Sequence, residues 1–191
     1  MIQADERLFL LLNNTLEKIP GLEYVLGWPT WLGQQYVLLP LTAALLIATV
    51  PAHWKKILCA VVFAYVGSAG FCFLMKTGID RPRPAAHFAA LIEQGRVGVH
   101  VMFKSKSEWS FPSGHATDIT SVVTVLNILY RQRLKLLYLL IPWIALTRIY
   151  VGAHFPLDVI GGITVGFIGA HAAIWLIKRV RYPDLKGIYP A

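Results

Sequence analysis

Long apolar segments constrain this chain more than any other feature of its sequence. Five stretches have, or approach, the length of about 17–25 residues that an α-helix needs to cross a bilayer. They are residues 34–50, 57–76, 115–130, 134–151 and 157–177. The chain is 56% hydrophobic and only 15% charged, whereas soluble domains average about 25% charged residues. We therefore predict an all-α fold, a polytopic membrane helix bundle that forms one domain over residues 1–191.

The N-terminal region lacks the continuous apolar stretch of a transmembrane helix. The apolar run 8–12 is short, and polar pairs and a Pro-Gly turn follow it. We predict one or two amphipathic helices lying at the membrane interface within residues 1–33, with a sixth, irregular span as the alternative. The bundle thus has five to six transmembrane helices. Asp5 and Glu6 stand where a secretory signal would carry positive charge, so no signal is evident.

Basic residues orient the predicted bundle. They cluster in the connections at one end, so the positive-inside rule makes that end cytoplasmic. The net charge of +8 fits anionic lipid headgroups, and no nucleic-acid recognition motif accompanies it. The long connection 77–111 then becomes an extracytoplasmic loop. Its length is typical of a lid or a headgroup-binding segment, with a solvated connector as the alternative.

Three short polar clusters interrupt the apolar chain, and span counting places all of them at the outer face. They are Lys76…Arg83-Pro84, Pro112-Ser113-Gly114-His115 and Arg148…His154…Asp158. Ionisable residues in or near a bilayer are energetically costly, so they usually indicate a functional site. Two histidines, one carboxylate and three cations suit phosphoryl transfer, which depends on positioning and on neutralising charge.

The third cluster suits a histidine nucleophile with two charged neighbours. Pro156 fits the first position of a helix, which puts His154 on the preceding turn and Asp158 in the first helical turn. The Asp158 carboxylate can accept a hydrogen bond from one ring nitrogen of His154 and leave the other free to attack. Arg148 lies in the last turn of the preceding helix and can point at the same spot.

The second cluster opens a predicted helix. Helix N-termini bind anions through free backbone amides and the positive end of the dipole. Ser113 adds a hydroxyl donor, and Gly114 lets the backbone approach closely. His115 is placed to protonate a leaving oxygen and later to activate water.

The first cluster supplies cations. Lys76 offers a point charge and Arg83 a planar fork for phosphate oxygens. Arg81 is a possible auxiliary that shares this work or, alternatively, contacts lipid phosphates at the interface. Two histidines and an aspartate also suit zinc, but three cations converging on the same place argue against a metal site. Asp118 is either a partner of His115 or a residue that complements the helix dipole.

Together the clusters resemble the signature of the type-2 phosphatidic acid phosphatase family, K-x6-RP, PSGH and SR-x5-H-x3-D. The three parts occur in order between Lys76 and Asp158. One position departs from the pattern, because Thr147 stands where the family usually has serine. A hydroxyl is retained there, so we expect its hydrogen bond to persist.

The resemblance implies a phosphatase that needs no metal or other cofactor and works through a phosphohistidine. His154 would be the nucleophile, Asp158 its orienting partner and His115 the acid. The phosphoryl oxygens would be held by Lys76, Arg83, Ser113, Gly114 and Arg148.

The resemblance also implies a membrane lipid as substrate and a multi-pass protein of the bacterial inner membrane, with its site facing the periplasm or exterior. Among such lipids, the resemblance favours undecaprenyl diphosphate as the expected substrate. The alternatives are phosphatidylglycerophosphate, the lipid A phosphates, transfer of phosphate between lipids and, more remotely, non-enzymatic lipid binding or transport. The sequence leaves the lipid and the oligomeric state open.

Overall fold

Helices make up all regular secondary structure in residues 3–103 and 107–179, the part of the chain that the computed structural model describes. This confirms the all-α prediction. The α-helices are α1 (Ala4–Leu16), α2 (Gln35–Thr49), α3 (Trp54–Ile79), α4 (Pro84–His87), α5 (Ala89–Glu93), α6 (Gly114–Leu129), α7 (Leu140–Tyr150) and α8 (Pro156–Arg179). A π-helical turn at Glu23–Gly27 and 3₁₀-helices at Trp28–Gly33 and Lys135–Leu139 connect them.

Helices α3, α6 and α8 pack against one another at the centre, and most side chains of α6 are buried. Glycines of α8 make this close packing possible. A Cβ at Gly162 would lie 2.4 Å from the carbonyl oxygen of Ser113, and one at Gly166 would lie 2.4 Å from that of Thr117. Small residues allow membrane helices to approach in this way, so the α8 glycines fix where the N-terminus of α6 lies.

Within the described part of the chain, two helical regions are long and apolar enough to cross a bilayer on their own, Trp54–Glu93, which contains α3, and α8. The region Glu23–Gly33 and α2 together make a third candidate, bent by 81°, either a broken span or a re-entrant loop. Large apolar side chains of α3 and α8 are exposed, and Leu74 and Ile168 have more than 60% of their surface exposed. An apolar surface of this kind suits contact with lipid. The count of five to six spans stays a prediction.

Two segments differ in detail from the sequence prediction. Residues 134–151 do not form one helix, because a 3₁₀-helix precedes the short α7. Pro142 lies in the first turn of α7, where backbone amides have no partner within the helix. Part of the connection 77–111 is helical, since α3 continues to Ile79 and α4 and α5 follow.

The N-terminal region is helical and packs on the bundle. Helix α1 contacts α7 and α8, and its Phe9 is fully buried against Phe88 and Phe155. The Phe9 and Phe155 ring centroids lie 5.2 Å apart. The placement of residues 1–33 at a membrane interface stays a prediction, but α1 clearly belongs to the folded core.

Candidate active site

A cavity of about 550 Å³ brings the three polar clusters together. Its wall contains residues from each cluster, namely Lys76, Arg83, Gly114, His115, Arg148 and His154. The rest of the wall includes Thr30, Trp31, Gln34, Gln35 and Phe103 from the N-terminal half and the long connection. The convergence expected from span counting is therefore present. Ser113, Asp158 and Arg81 lie outside the wall.

A tight turn between α7 and α8 positions His154. Gly152 adopts a φ of +73°, and a Cβ there would lie 2.2 Å from the carbonyl oxygen of His100, so the turn requires glycine. The carbonyl of Arg148 accepts hydrogen bonds from the amides of Ala153 and His154, at 3.0 and 3.3 Å. The turn thus folds back on the end of α7 and holds His154 beside Arg148, as the spacing predicted.

Asp158 is fully buried behind His154. Its Oδ1 accepts a hydrogen bond from Arg81 Nη1 at 2.6 Å, and its Oδ2 accepts from Ser110 Oγ at 2.5 Å and from the Phe155 amide at 2.8 Å. The same Oδ2 lies 3.7 Å from His154 Nδ1. This contact is longer than a hydrogen bond, so Asp158 faces the histidine without bonding to it here.

Backbone carbonyls orient the cations Lys76 and Arg83. Lys76, in the last turn of α3, donates from Nζ to the carbonyl of Trp109 at 2.8 Å. Arg83, immediately before α4, donates from Nε to the carbonyl of Glu108 at 3.0 Å. A carbonyl carries no net charge, so these bonds fix the two cations in place and leave their positive charge available to an anion.

Arg148 is held by a residue that sequence reasoning did not find. Its Nη1 donates to Thr30 Oγ1, and Thr147 Oγ1 lies 3.1 Å from the same oxygen. The hydroxyl retained at Thr147 is therefore engaged, as expected. The only sequence signal for Thr30 is a hydroxyl residue between tryptophans, in a region predicted to lie at the interface.

Several buried polar atoms in and near the site have no hydrogen-bond partner among the described residues. Ser113 occupies the N-cap position of α6 without a cap hydrogen bond from its side chain, and its amide donates to the backbone carbonyl of Asp158 at 2.8 Å. Its side-chain oxygen, however, is buried without a partner among the described residues, as are Nε2 of His115, Nε of Arg148 and Nδ1 of His154. Buried polar atoms without partners are costly and call for an explanation. An anion in the cavity would supply one for the donors among them.

The surroundings of His154 favour the neutral form of its ring. Burial lowers its pKa well below the ordinary value, and the positive charges of Arg83, Arg148 and Lys76 lower it further. A neutral imidazole has a lone pair on one ring nitrogen, which is the form that can act as a nucleophile.

Two sequence expectations remain, namely the role of Asp118 and the absence of a metal site. Asp118 is half-buried on α6 and does not line the cavity, so neither interpretation of it is favoured. Among the described residues, no group of three or more His, Cys, Asp or Glu side chains is arranged to hold a metal. Metal independence nevertheless stays a prediction.

The fold and cavity define a helical membrane protein with a cationic site that contains two histidines. Residues 57–182 match the model of the PAP2 superfamily. The chain therefore belongs to the PAP2 superfamily, as the signature predicted.

Similar proteins include a lipid A 1-phosphatase of Rhizobium johnstonii, 34% identical over 106 residues that make up 54% of this chain and 41% of that protein. The chain thus matches less than half the length of that relative. An undecaprenyl-diphosphatase of Sulfolobus acidocaldarius is 29% identical over 161 residues, 83% of this chain and 71% of that one. The crystal structure of Aquifex aeolicus LpxE superposes with a TM-score of 0.72 at 30% identity, covering 88% of this chain and 93% of that chain.

Proposed function

We propose that this chain is a metal-independent membrane lipid phosphatase that acts through a phosphohistidine on His154. The observation that carries the proposal is the convergence of Lys76, Arg83 and Arg148 with two histidines on one cavity. Three fixed cations and the N-terminus of α6 can neutralise the oxygens of a phosphoryl group without a metal. The names of the similar proteins, which are lipid phosphatases, support the same reaction class.

In the first step, His154 Nε2 attacks the phosphorus while the bond from phosphorus to the lipid oxygen breaks. His115 gives its proton to that leaving oxygen. A bound phosphate dianion offsets the nearby positive charges and so favours the protonated form of His115. His154 Nδ1 faces Asp158 at 3.7 Å, and this contact is expected to shorten as the ring becomes positively charged, since catalytic hydrogen bonds often tighten only in the complex.

In the second step, water breaks the phosphorus–nitrogen bond. His115, now neutral, takes a proton from the water, and the resulting hydroxide attacks phosphorus. Inorganic phosphate leaves and the neutral His154 ring is restored. The proton that His115 gave up in the first step is regained in the second, so the cycle closes without any cofactor.

Undecaprenyl diphosphate is the substrate that we propose first. Lipid A phosphates and phosphatidylglycerophosphate are the alternative candidates. A relative named undecaprenyl-diphosphatase aligns over most of both chains, which supports the preference. The cavity wall beyond the cations includes Trp31, Phe103 and two glutamines. These aromatic and amide side chains are available to contact the group next to the phosphate. By the positive-inside rule we place the site at the outer face of a bacterial inner membrane.

A lipid panel tests the proposal. The full chain, purified in detergent, is assayed for inorganic phosphate release from undecaprenyl diphosphate, phosphatidylglycerophosphate and lipid A at equal surface concentrations. We expect the highest kcat/KM with undecaprenyl diphosphate. A higher value with another lipid would correct the substrate, phosphate appearing on a second lipid would indicate a phosphotransferase, and no release from any lipid would overturn the enzymatic proposal.

A further inference from the structure

The N-terminal helix reaches the back of the site through Asp5. This carboxylate lies in the first turn of α1, and its side chain is only 7% exposed. Its Oδ1 accepts a hydrogen bond from the Leu157 amide at 2.9 Å, and its Oδ2 pairs with Arg81 Nη2 at 2.7 Å. Because Leu157 is the second residue of α8, Asp5 satisfies one of the free amides at the start of the helix that carries Asp158.

Arg81 joins this carboxylate to Asp158. Its Nη1 lies 2.6 Å from Asp158 Oδ1, while its Nη2 holds Asp5. The guanidinium carbon also lies 4.2 Å from the centroid of the Phe155 ring. A planar guanidinium presents its donors in a fixed fork, so Asp5 and Phe155 together determine how Arg81 meets Asp158. One cation thereby compensates two carboxylates that are almost completely removed from solvent.

The far end of α1 holds the other side of the same turn. Asn13 Nδ2 donates to the carbonyls of Ile149 and Tyr150 at 2.9 and 3.0 Å, at the end of α7. Helix α1 therefore binds the end of α7 through Asn13 and the start of α8 through Asp5. Between these two helix ends lies the turn that carries His154.

We propose that Asp5 and Arg81 are positioning residues for Asp158, which makes α1 a part of the catalytic apparatus. The inference rests on the proposed function, because it assigns a role within the His154 reaction. Neither residue lines the cavity, so neither touches the phosphoryl group. They act by fixing the Asp158 carboxylate opposite His154 Nδ1, where the ring gains positive charge during attack.

Single variants separate this role from substrate binding. Asp5→Asn keeps an oxygen for the Leu157 amide and removes the ion pair with Arg81. We expect kcat to fall about 10-fold with KM within about twofold of wild type, because loss of a supporting partner disturbs orientation rather than binding. Arg81→Ala should lower kcat about 10- to 100-fold, and Arg81→Lys should recover part of that loss.

Glu6→Gln is the matched control. Glu6 is the neighbouring acid in the same helical turn, but it pairs with His87 Nε2 at 2.9 Å rather than with Arg81. We expect its kcat to stay within about twofold of wild type, because Glu6 pairs with neither Arg81 nor Asp158 and glutamine keeps an oxygen for the Gln3 amide that Glu6 Oε2 binds. Thermal unfolding of each variant in detergent shows whether Asp5→Asn and Glu6→Gln disturb the fold equally.

A double variant decides whether the two residues act as one unit. Residues that act through a shared partner give non-additive losses, so Asp5→Asn combined with Arg81→Ala should be no slower than Arg81→Ala alone. Wild-type kcat in Asp5→Asn, a rise in KM in place of a fall in kcat, or additive losses in the double variant would each overturn the positioning role. Absence of phosphate release by the wild-type chain would instead overturn the proposed function itself.

Discussion

The two sides of His154 differ in how fully their polar groups are satisfied. Behind the ring, both oxygens of Asp158 accept hydrogen bonds, from Arg81, Ser110 and the Phe155 amide. In front of it, buried atoms of His115 and Arg148 have no partner within the described parts of the chain. The carboxylate behind the ring is paired at both oxygens, although Nδ1 of His154 is not yet bonded to it. The other side offers donors to something outside the chain.

We therefore interpret the side behind His154 as a supporting scaffold and the side in front of it as the binding site. Donors that are fixed before substrate arrives cost no reorganisation when charge develops, which is the basis of electrostatic catalysis. Leaving them unpaired costs stability, and the satisfied network behind His154 helps the fold to tolerate that cost. The comparison predicts that substitutions in front should reduce turnover more than substitutions behind.

The largest losses are expected in front of the ring. Arg83→Ala and Arg148→Ala should each lower kcat/KM about 10²–10³-fold, because each removes a donor that stabilises the transferring phosphoryl oxygens by about 2.7–4 kcal/mol. Phosphate release from the best lipid of the panel measures this. Lys55→Ala, which removes a cation at the opposite end of the bundle, is the control. A loss under about tenfold for both arginines would break the distinction between the two sides.

A smaller loss is expected behind the ring. Ser110→Ala removes one donor to Asp158 Oδ2 and leaves Arg81 and the Phe155 amide in place, so kcat should fall only about 10-fold. Ser68 is another buried serine, which pairs with Ser121 and does not line the cavity. Ser68→Ala should stay near wild type. If Ser110→Ala were slower than Arg148→Ala, the order proposed for the two sides would be reversed.

Thr147 gives a graded test of the support for Arg148. Thr147→Ser keeps the hydroxyl that lies 3.1 Å from Thr30 Oγ1, so its kcat/KM should match wild type. Thr147→Val removes that hydroxyl and should lower kcat/KM about threefold to tenfold, the equivalent of a neutral hydrogen bond of about 0.5–1.5 kcal/mol. Equal activity of the two variants would show that the hydroxyl does not help to position Arg148.

The smallest effect concerns metal. Prolonged treatment with a chelator should leave phosphate release unchanged, because the front of the site already supplies three cations. The assay is repeated after adding back zinc and magnesium separately. Loss of activity that a metal restores would show that the cationic wall alone does not neutralise the phosphoryl group.

Local sequence signals predicted the parts of the site that lie on helix ends. Pro156 marked the start of α8 and so placed His154 on the turn before it. The three motif clusters supplied six of the residues that line the cavity. These features depend on a few neighbouring residues, which is why they can be identified without a structure.

The remaining parts depend on contacts between distant segments. Thr30 lies 118 positions from its partner Arg148, and Asp5 lies 152 positions from its partner Leu157. No periodicity or motif encodes such pairs. Asp5 was considered only as a charge at odds with a signal peptide. The short helix α7 was likewise missed, because an apolar run does not reveal where a 3₁₀-helix gives way to an α-helix.

The most direct measurement is covalent trapping of the phosphoenzyme. The purified chain is mixed with its best lipid, radiolabelled at the terminal phosphate, and quenched in alkali, where phosphohistidine survives. The label should map to His154, disappear in His154→Ala and persist in the control His171→Ala, an exposed histidine of α8. Normal turnover in His154→Ala, or label on any other residue, would contradict the account.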